Sequence, residues 1–279
     1  MSPKGRFLRS AGKFLALAAF LIFAIGPLLW IILTSLKDLK EVYTFPIQYF
    51  PKKPSFASYT KLFSFARFGV YFRNSLILTL TASFGALVFA VLSGFGLSRI
   101  GKRSLKQRLL LLLYFTQMVP PFIIMTPLYT TFSSMGASDS MIIVAIIYVS
   151  IVLAFSVIMA KSFFDRIPIE IDEAARVDGC SVFQSLVWVI IPVMRSGLAA
   201  IFCFAFVNIW NELFVAVLFL NSPNHLTIPV ALNSFISKAG ISWDILSAGI
   251  VVALLPTMLV FAFGQRYIVA GLTEGSVKG

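Results

Sequence analysis

An all-α membrane protein with six transmembrane helices is the fold class that the sequence predicts, and three observations carry that reading. Only 12% of its 279 residues are charged and 59% are hydrophobic, against about 25% charged in an ordinary soluble domain. Six charge-poor stretches each reach the roughly 20 residues needed to cross a bilayer. Lysine and arginine gather unevenly in the segments between them, as loop charge does when it sets topology.

The spans follow in order. Phe14 to Leu36 lies between Lys13 and Lys37, and Asn74 to Ser98 between Arg73 and Arg99. Leu109 to Ser138 stops at Asp139, and Ser140 to Ala160 ends at Lys161. Ser196 to Leu220 carries one acid, Glu212, and Ile245 to Gln265 lies between Asp244 and Arg266. The first span follows Lys4, Arg6, Arg9 and Lys13 and so imitates a signal peptide. Its apolar run continues through Trp30 to Leu36, well beyond a secretory core of about 7–15 residues, and predicts a retained helix. The domain layout expected is a cytoplasmic N-terminus over 1–13, a membrane domain over 14–265 and a cytoplasmic tail over 266–279.

Orientation comes from the loops. Arg99–Arg108 holds five cations, the N-terminus four and Lys161–Arg195 four, whereas Gly136–Asp139 has none and Asn221–Asp244 only Lys238. Both termini are therefore expected inside the cell. Lys37–Arg73, with seven cations, runs against the pattern; Lys37 and Arg73 are expected to snorkel at helix ends.

Several chemistries find no support. Two cysteines, Cys180 and Cys203, and one histidine, His225, make neither a disulfide framework nor a zinc site. The net charge of +12 sits beside apolar runs rather than in a basic domain, which argues against nucleic acid. The segment Gly96 to Arg103 approaches a phosphate-binding P-loop, but Arg103 stands where the magnesium-ligating Ser or Thr belongs.

Within the membrane, Ala82, Ala86, Ala90, Gly94 and Ser98 recur every four residues, a small-residue ridge suited to close helix crossing. Val119-Pro120-Pro121 and Pro127 must interrupt the third span, either as an inert kink or as a gating element.

The inside segment Lys161–Arg195 is organised as two short helices. Pro168 suits a first turn, where Glu170, Asp172 and Glu173 complement the dipole. Asp172 and Arg176 are spaced to pair, Gly179 is placed to stop the helix, and Ser181 with Gln184 reads as a capping box. Pro192 ends or bends the second helix. Five acids in this segment argue against simple attraction to anionic lipid and for a protein partner.

Glu173-Ala174-Ala175, Gly179, Val189 and Ile191-Pro192 resemble the EAA loop of binding-protein-dependent ABC importer permeases. The stretches Phe68 to Leu76, Trp210-Asn211-Glu212 and Gln265 to Gly275 look like the MalG-type sugar branch of that family. The resemblance implies a coupling helix pair that docks on a cytoplasmic ATPase dimer through Glu173, Ala174, Ala175, Asp178, Gly179 and Pro192. It implies a second permease subunit, a loop at Asn221–Asp244 that meets an extracytoplasmic solute-binding protein, and a tail that reaches the ATPases. ATP and magnesium would be bound by the ATPase partner, with no cofactor and no catalytic residue on this chain.

Asn208, Asn211 and Glu212 are spaced i, i+3 and i+4 and are expected on one face of the fifth helix. That face either lines the sugar pathway or bonds to the partner permease. A secondary transporter or channel is the rival reading, although ion coupling usually leaves more intramembrane acids than Glu212 alone.

Overall fold

The computed structural model describes residues 3–64, 67–237 and 240–273. In chain order it contains α1 (Pro3–Ser35), α2 (Leu39–Val42), α3 (Ala57–Ser64), α4 (Phe68–Arg99), α5 (Arg103–Met118), α6 (Pro121–Ser134) and α7 (Met141–Phe164). Then come α8 (Ile169–Val177), α9 (Val182–Val193), α10 (Arg195–Trp210), α11 (Phe214–Phe219), α12 (Ile228–Ser234) and α13 (Trp243–Thr273). A two-residue antiparallel ladder, β1 (Ile236–Ser237) with β2 (Gly240–Ile241), precedes α13. Four helices are long and apolar enough to cross a membrane, and the number rises to six if each of two bent pairs is one span.

The bent pairs have local causes. Between α5 and α6 the axis turns by 84° at Val119-Pro120. Pro120 and Pro121 bring no N–H, so the carbonyls of Thr116 and Gln117, four residues earlier, have no helical donor. Between α9 and α10 the turn is 85°, at Met194. Just before it, Ser185–Ile190 winds as a π-helix, a local widening ahead of Pro192, whose ring would clash with a regular turn.

Two compact units divide the chain, one formed by Met1–Gly69 with Ala231–Leu254, the other by Val70–Val230 with Leu255–Gly279. In the first, the membrane window of α1 has none of its residues buried. Lys37 does not snorkel as expected. It is buried, its ammonium donates to the Gln48 carbonyl at 2.5 Å and sits 4.5 Å over the Trp30 ring. The cation is fixed by local partners, so it says nothing about which side of the membrane it lies on. Lys61 pairs with the buried Asp244 at 3.9 Å. Gly249 is a close-approach position, because a Cβ there would fall 2.6 Å from Leu232 Cδ2.

In the second unit the small-residue ridge of α4 meets α7. Ala82, Ala86 and Ala90 are buried, and a Cβ on Gly94 would stand 2.6 Å from Ala160 Cβ and 2.9 Å from the Lys161 nitrogen. Only a glycine lets the two backbones come this close. One core cluster gathers Leu78, Tyr148, Val152, Ile209 and Phe219, and another Ala90, Phe164, Leu186, Ile190 and Ile201.

Two boundaries differ from expectation. The positions expected as a tail continue α13 as far as Thr273, and Glu274 to Gly279 lie outside the described residues. The fifth span is not one helix from Ser196 to Leu220: α10 stops at Trp210, residues 211–213 are irregular, and α11 restarts at Phe214.

Candidate functional site

At the loop between α7 and α10 the local signals are realised atom by atom. Gly179 adopts φ +87°, the left-handed conformation that favours glycine. Cys180 N–H donates to the Ala175 carbonyl at 3.0 Å and Gly179 N–H to that of Arg176 at 3.1 Å, which together make a Schellman stop. Two residues on, the Ser181 hydroxyl accepts from Gln184 N–H at 3.3 Å while the Gln184 side chain accepts from Ser181 N–H at 2.8 Å. The two helices are thus set by a stop and a start two residues apart.

How α8 is held was not foreseen. Asp172 pairs with Arg99 at the end of α4, at 2.6 Å, instead of with Arg176. Both side chains are mostly buried, and Arg99 also donates to the carbonyls of Phe164 and Ile167 at 3.2 and 3.4 Å. An i,i+4 pair on a wet helix face contributes little, whereas this guanidinium also closes the exposed end of α7. Asp165 takes a 2.7 Å bond from the Ser98 hydroxyl and ion pairs with Lys106 and Lys161. Burial pushes its carboxyl pKa up, but the bonds from Lys161 and Ser98 outweigh it and hold it low. Two cations of the basic loop, Arg99 and Lys106, therefore hold acids of the segment between α7 and α9. The mock P-loop is the end of α4 and the start of α5, with no strand beside it.

With Ala175 and Ile171 turned inward, the other face of α8 is left open. Glu170, Glu173, Ala174 and Val177 fall at i, i+3, i+4 and i+7 and are all exposed, Val177 by 88%. Asp178, Gly179 and Pro192 are exposed as well, as are Val182 and Phe183 on α9. Acids and apolar side chains stand together there without side-chain partners among the described residues.

The polar residues of the fifth span are arranged differently from the expectation of one helical face. Asn208 is on α10, Asn211 caps its end, and Glu212 lies in the break. Glu212 turns back onto the chain: its carboxylate accepts from Phe214 N–H at 2.9 Å and from Val215 N–H at 3.0 Å. The phenol of Tyr148 faces the same group. Asn208 and Asn211 each donate to the carbonyl four residues earlier, both at 2.8 Å. Asn208 and Glu212 line a common cavity of about 250 Å³, of which Asn211 is not part. Trp210 points into the core, stacked on Phe206 at 5.7 Å. A larger cavity of about 580 Å³ opens at the break in the third span, between Gln117, Phe132, Ser150, Phe204 and Asn208.

Asp139 is the polar centre that sequence reasoning read only as the end of a span. At φ +61°, it accepts from Asn221 and Ser222 N–H groups at 2.8 and 3.1 Å and faces His225 at 2.9 Å. Burial raises its pKa, and those bonds overcome it to bring the value down to about 2. From the other side Asn74 donates to the carbonyls of Asn224 and Leu226, and the Ser75 hydroxyl accepts from Ile228 N–H. The segment 221–228 is fixed at both ends.

Comparison with known proteins gives this arrangement a context. The model of the "binding-protein-dependent transport system inner membrane component" family matches residues 86–274. The chain is 32% identical to the inner membrane ABC transporter permease protein YcjP of Escherichia coli (strain K12), over 100% of both chains. It is 29% identical to the sulfoquinovosyl glycerol transport system permease protein SmoH of Agrobacterium fabrum (strain C58 / ATCC 33970), over 96% of this chain and 93% of that one. Its fold is shared with a chain of a bacterial ABC transporter involved in the import of the acidic polysaccharide alginate, at a TM-score of 0.79 and 22% identity, covering 96% of this chain and 99% of that one. The family accounts for a helical, multi-pass inner-membrane component without catalytic residues, and the chain belongs to it: the inner-membrane permeases of binding-protein-dependent transport systems.

Proposed function

We propose that this chain is one of two permease subunits of an ATP-driven sugar importer and that α8 and α9 are its coupling helices. The observation that carries the proposal is the open face of α8, with Glu173, Ala174, Val177 and Asp178 free while Asp172 is tied to Arg99. A push on that face reaches α4 and α7 through an ion pair and two carbonyl bonds, as mechanical coupling between chains requires. Glu173 meets a basic residue of the ATPase, Gly179 shapes the contact, and Pro192 sets the bend into α10. ATP and magnesium belong to the ATPase dimer.

In this reading α5 with α6 crosses once and α10 with α11 crosses once, which with α1, α4, α7 and α13 gives six spans with both termini cytoplasmic. The fixed segment 221–228 faces outward towards a solute-binding protein. Sugar as the cargo is supported by the sulfoquinovosyl glycerol permease among the relatives. Asn208 and Asn211 stand along the pathway, and Glu212 beside them caps the start of α11.

Affinity purification of the tagged chain from its native membrane tests this. An ATPase and a second permease are expected to copurify, and Glu173→Arg to remove the ATPase alone. Active transport by the purified chain without an ATPase would establish the secondary-transporter reading instead.

A further inference from the structure

We propose that the cavity at the broken third span is a binding subsite for a neutral, hydroxyl-rich sugar ring, with Gln117 as its specificity-determining residue. The proposal rests on the sugar reading above and goes beyond it in naming the site and the charge class of the ligand.

Position comes first. The charge-free part of α5 starts at Leu109 and ends at Met118, which is a rise of about 15 Å at 1.5 Å per residue. The break therefore falls near the middle of a hydrocarbon layer of about 30 Å. Irregular backbone at that depth is stable only against protein or in a water-filled cavity. Here a cavity of about 580 Å³ is present, within the range of about 300–1,000 Å³ typical of small-molecule sites.

Its polar lining has a consistent bias. Thr116, Ser150 and Asn208 each spend a side-chain donor on their own helix, to the carbonyls of Leu113, Ile146 and Phe204. Their oxygens keep unused acceptor capacity. The main-chain carbonyls of Thr116 and Gln117 add two acceptors, since Pro120 and Pro121 cannot donate to them. Gln117 is exposed, makes no side-chain hydrogen bond among the described residues, and offers both an acceptor and two donors. Phe132 and Phe204 supply apolar walls.

A site rich in acceptors with one adaptable amide suits a ligand that donates many hydrogen bonds, as sugar hydroxyls do. No described lining residue carries a charge. A uronate or sulfonate would have no cation to meet. The subsite thus selects neutral rings, even though the transporter of like fold is involved in the import of an acidic polysaccharide and the relative SmoH is named for a sulfonated sugar.

The whole importer, expressed in cells with its partner permease, ATPase and binding protein, provides the test. Uptake is measured for a radiolabelled panel of glucose, maltose, maltotriose and cellobiose beside glucuronate and digalacturonate. Wild type is expected to carry a neutral member. Gln117→Leu should raise the KM for that sugar roughly 3- to 10-fold, the effect of one or two lost hydrogen bonds, with undiminished copurification of the partner permease. Gln117→Asn should recover part of the loss. The same binding protein delivers the sugar in each case, so a KM change belongs to this chain. Carriage of the uronates alone, an unchanged KM in Gln117→Leu, or loss of the partner permease in both variants would each overturn the subsite while leaving the importer standing. Carriage of no sugar in the panel would overturn the sugar reading itself.

Discussion

Two membrane helices in this protein are broken near polar residues, and the breaks are finished in opposite ways. At 211–213 there is no proline, and the Glu212 carboxylate folds down to take the N–H groups of Phe214 and Val215. At 119–120 the cause is two prolines, and no side chain caps the start of α6. The first break is sealed by its own sequence, while the second leaves two carbonyls without helical donors on residues, Thr116 and Gln117, that line a cavity. A polar residue inside a membrane helix is therefore not a site by virtue of its cost alone; what matters is whether its bonding capacity is spent on the backbone.

The largest effect that distinguishes the two breaks is expected from Glu212→Ala. It leaves two N–H groups unpaired beside apolar side chains, at about 1–3 kcal/mol each, and the assembled protein recovered in detergent should fall sharply. Glu212→Gln keeps an acceptor and should be recovered near wild-type levels. Equal loss in both variants would mean that charge, not capping, is what this position supplies.

The double variant Pro120→Ala/Pro121→Ala attacks the open break. Restoring two helical donors should stabilise the chain by about 1–3 kcal/mol, measured by thermal unfolding in detergent, while uptake is lost because the cavity closes. Retained uptake would show that the break serves only as a bend. A third turn of the chain, at Gly179, lies outside the membrane and tests coupling. Gly179→Ala forces a Cβ into the left-handed region at about 1–2 kcal/mol, with open space around it. Stability should change little beyond that, and ATP hydrolysis should become partly independent of transport. The smallest effect concerns Asp139. Its folded-state pKa of about 2 is depressed, so its contribution is complete above the unfolded value of about 3.9 and is lost as pH falls through about 2. The difference in melting temperature between wild type and Asp139→Asn should shrink as pH falls below about 4.

Local signals were legible in advance and long-range ones were not. Gly179, Ser181 with Gln184, and the ridge from Ala82 to Gly94 depend on residues a few positions apart, so spacing reveals them. The Arg99–Asp172 pair joins positions 73 residues apart, and spacing suggested Arg176 instead. Asp139 serves 221–225 across a similar distance. The break after Trp210 carries no proline or glycine; its trace in the sequence is an Asn-Glu pair, a helix stop followed by an acid that can cap the next start. Gln117 was hidden because a single amide beside Pro120 and Pro121 has no meaning until the cavity is seen.

The unburied membrane window of α1 has a consequence for how this chain varies. A side chain packed inside a protein is constrained by shape, whereas one on an unburied face is constrained only by its surroundings. Apart from Trp30, which carries Lys37 over its ring, an apolar residue there can replace another of similar hydropathy without disturbing a neighbour within the chain. Sequence memory along α1 should fade fastest between relatives.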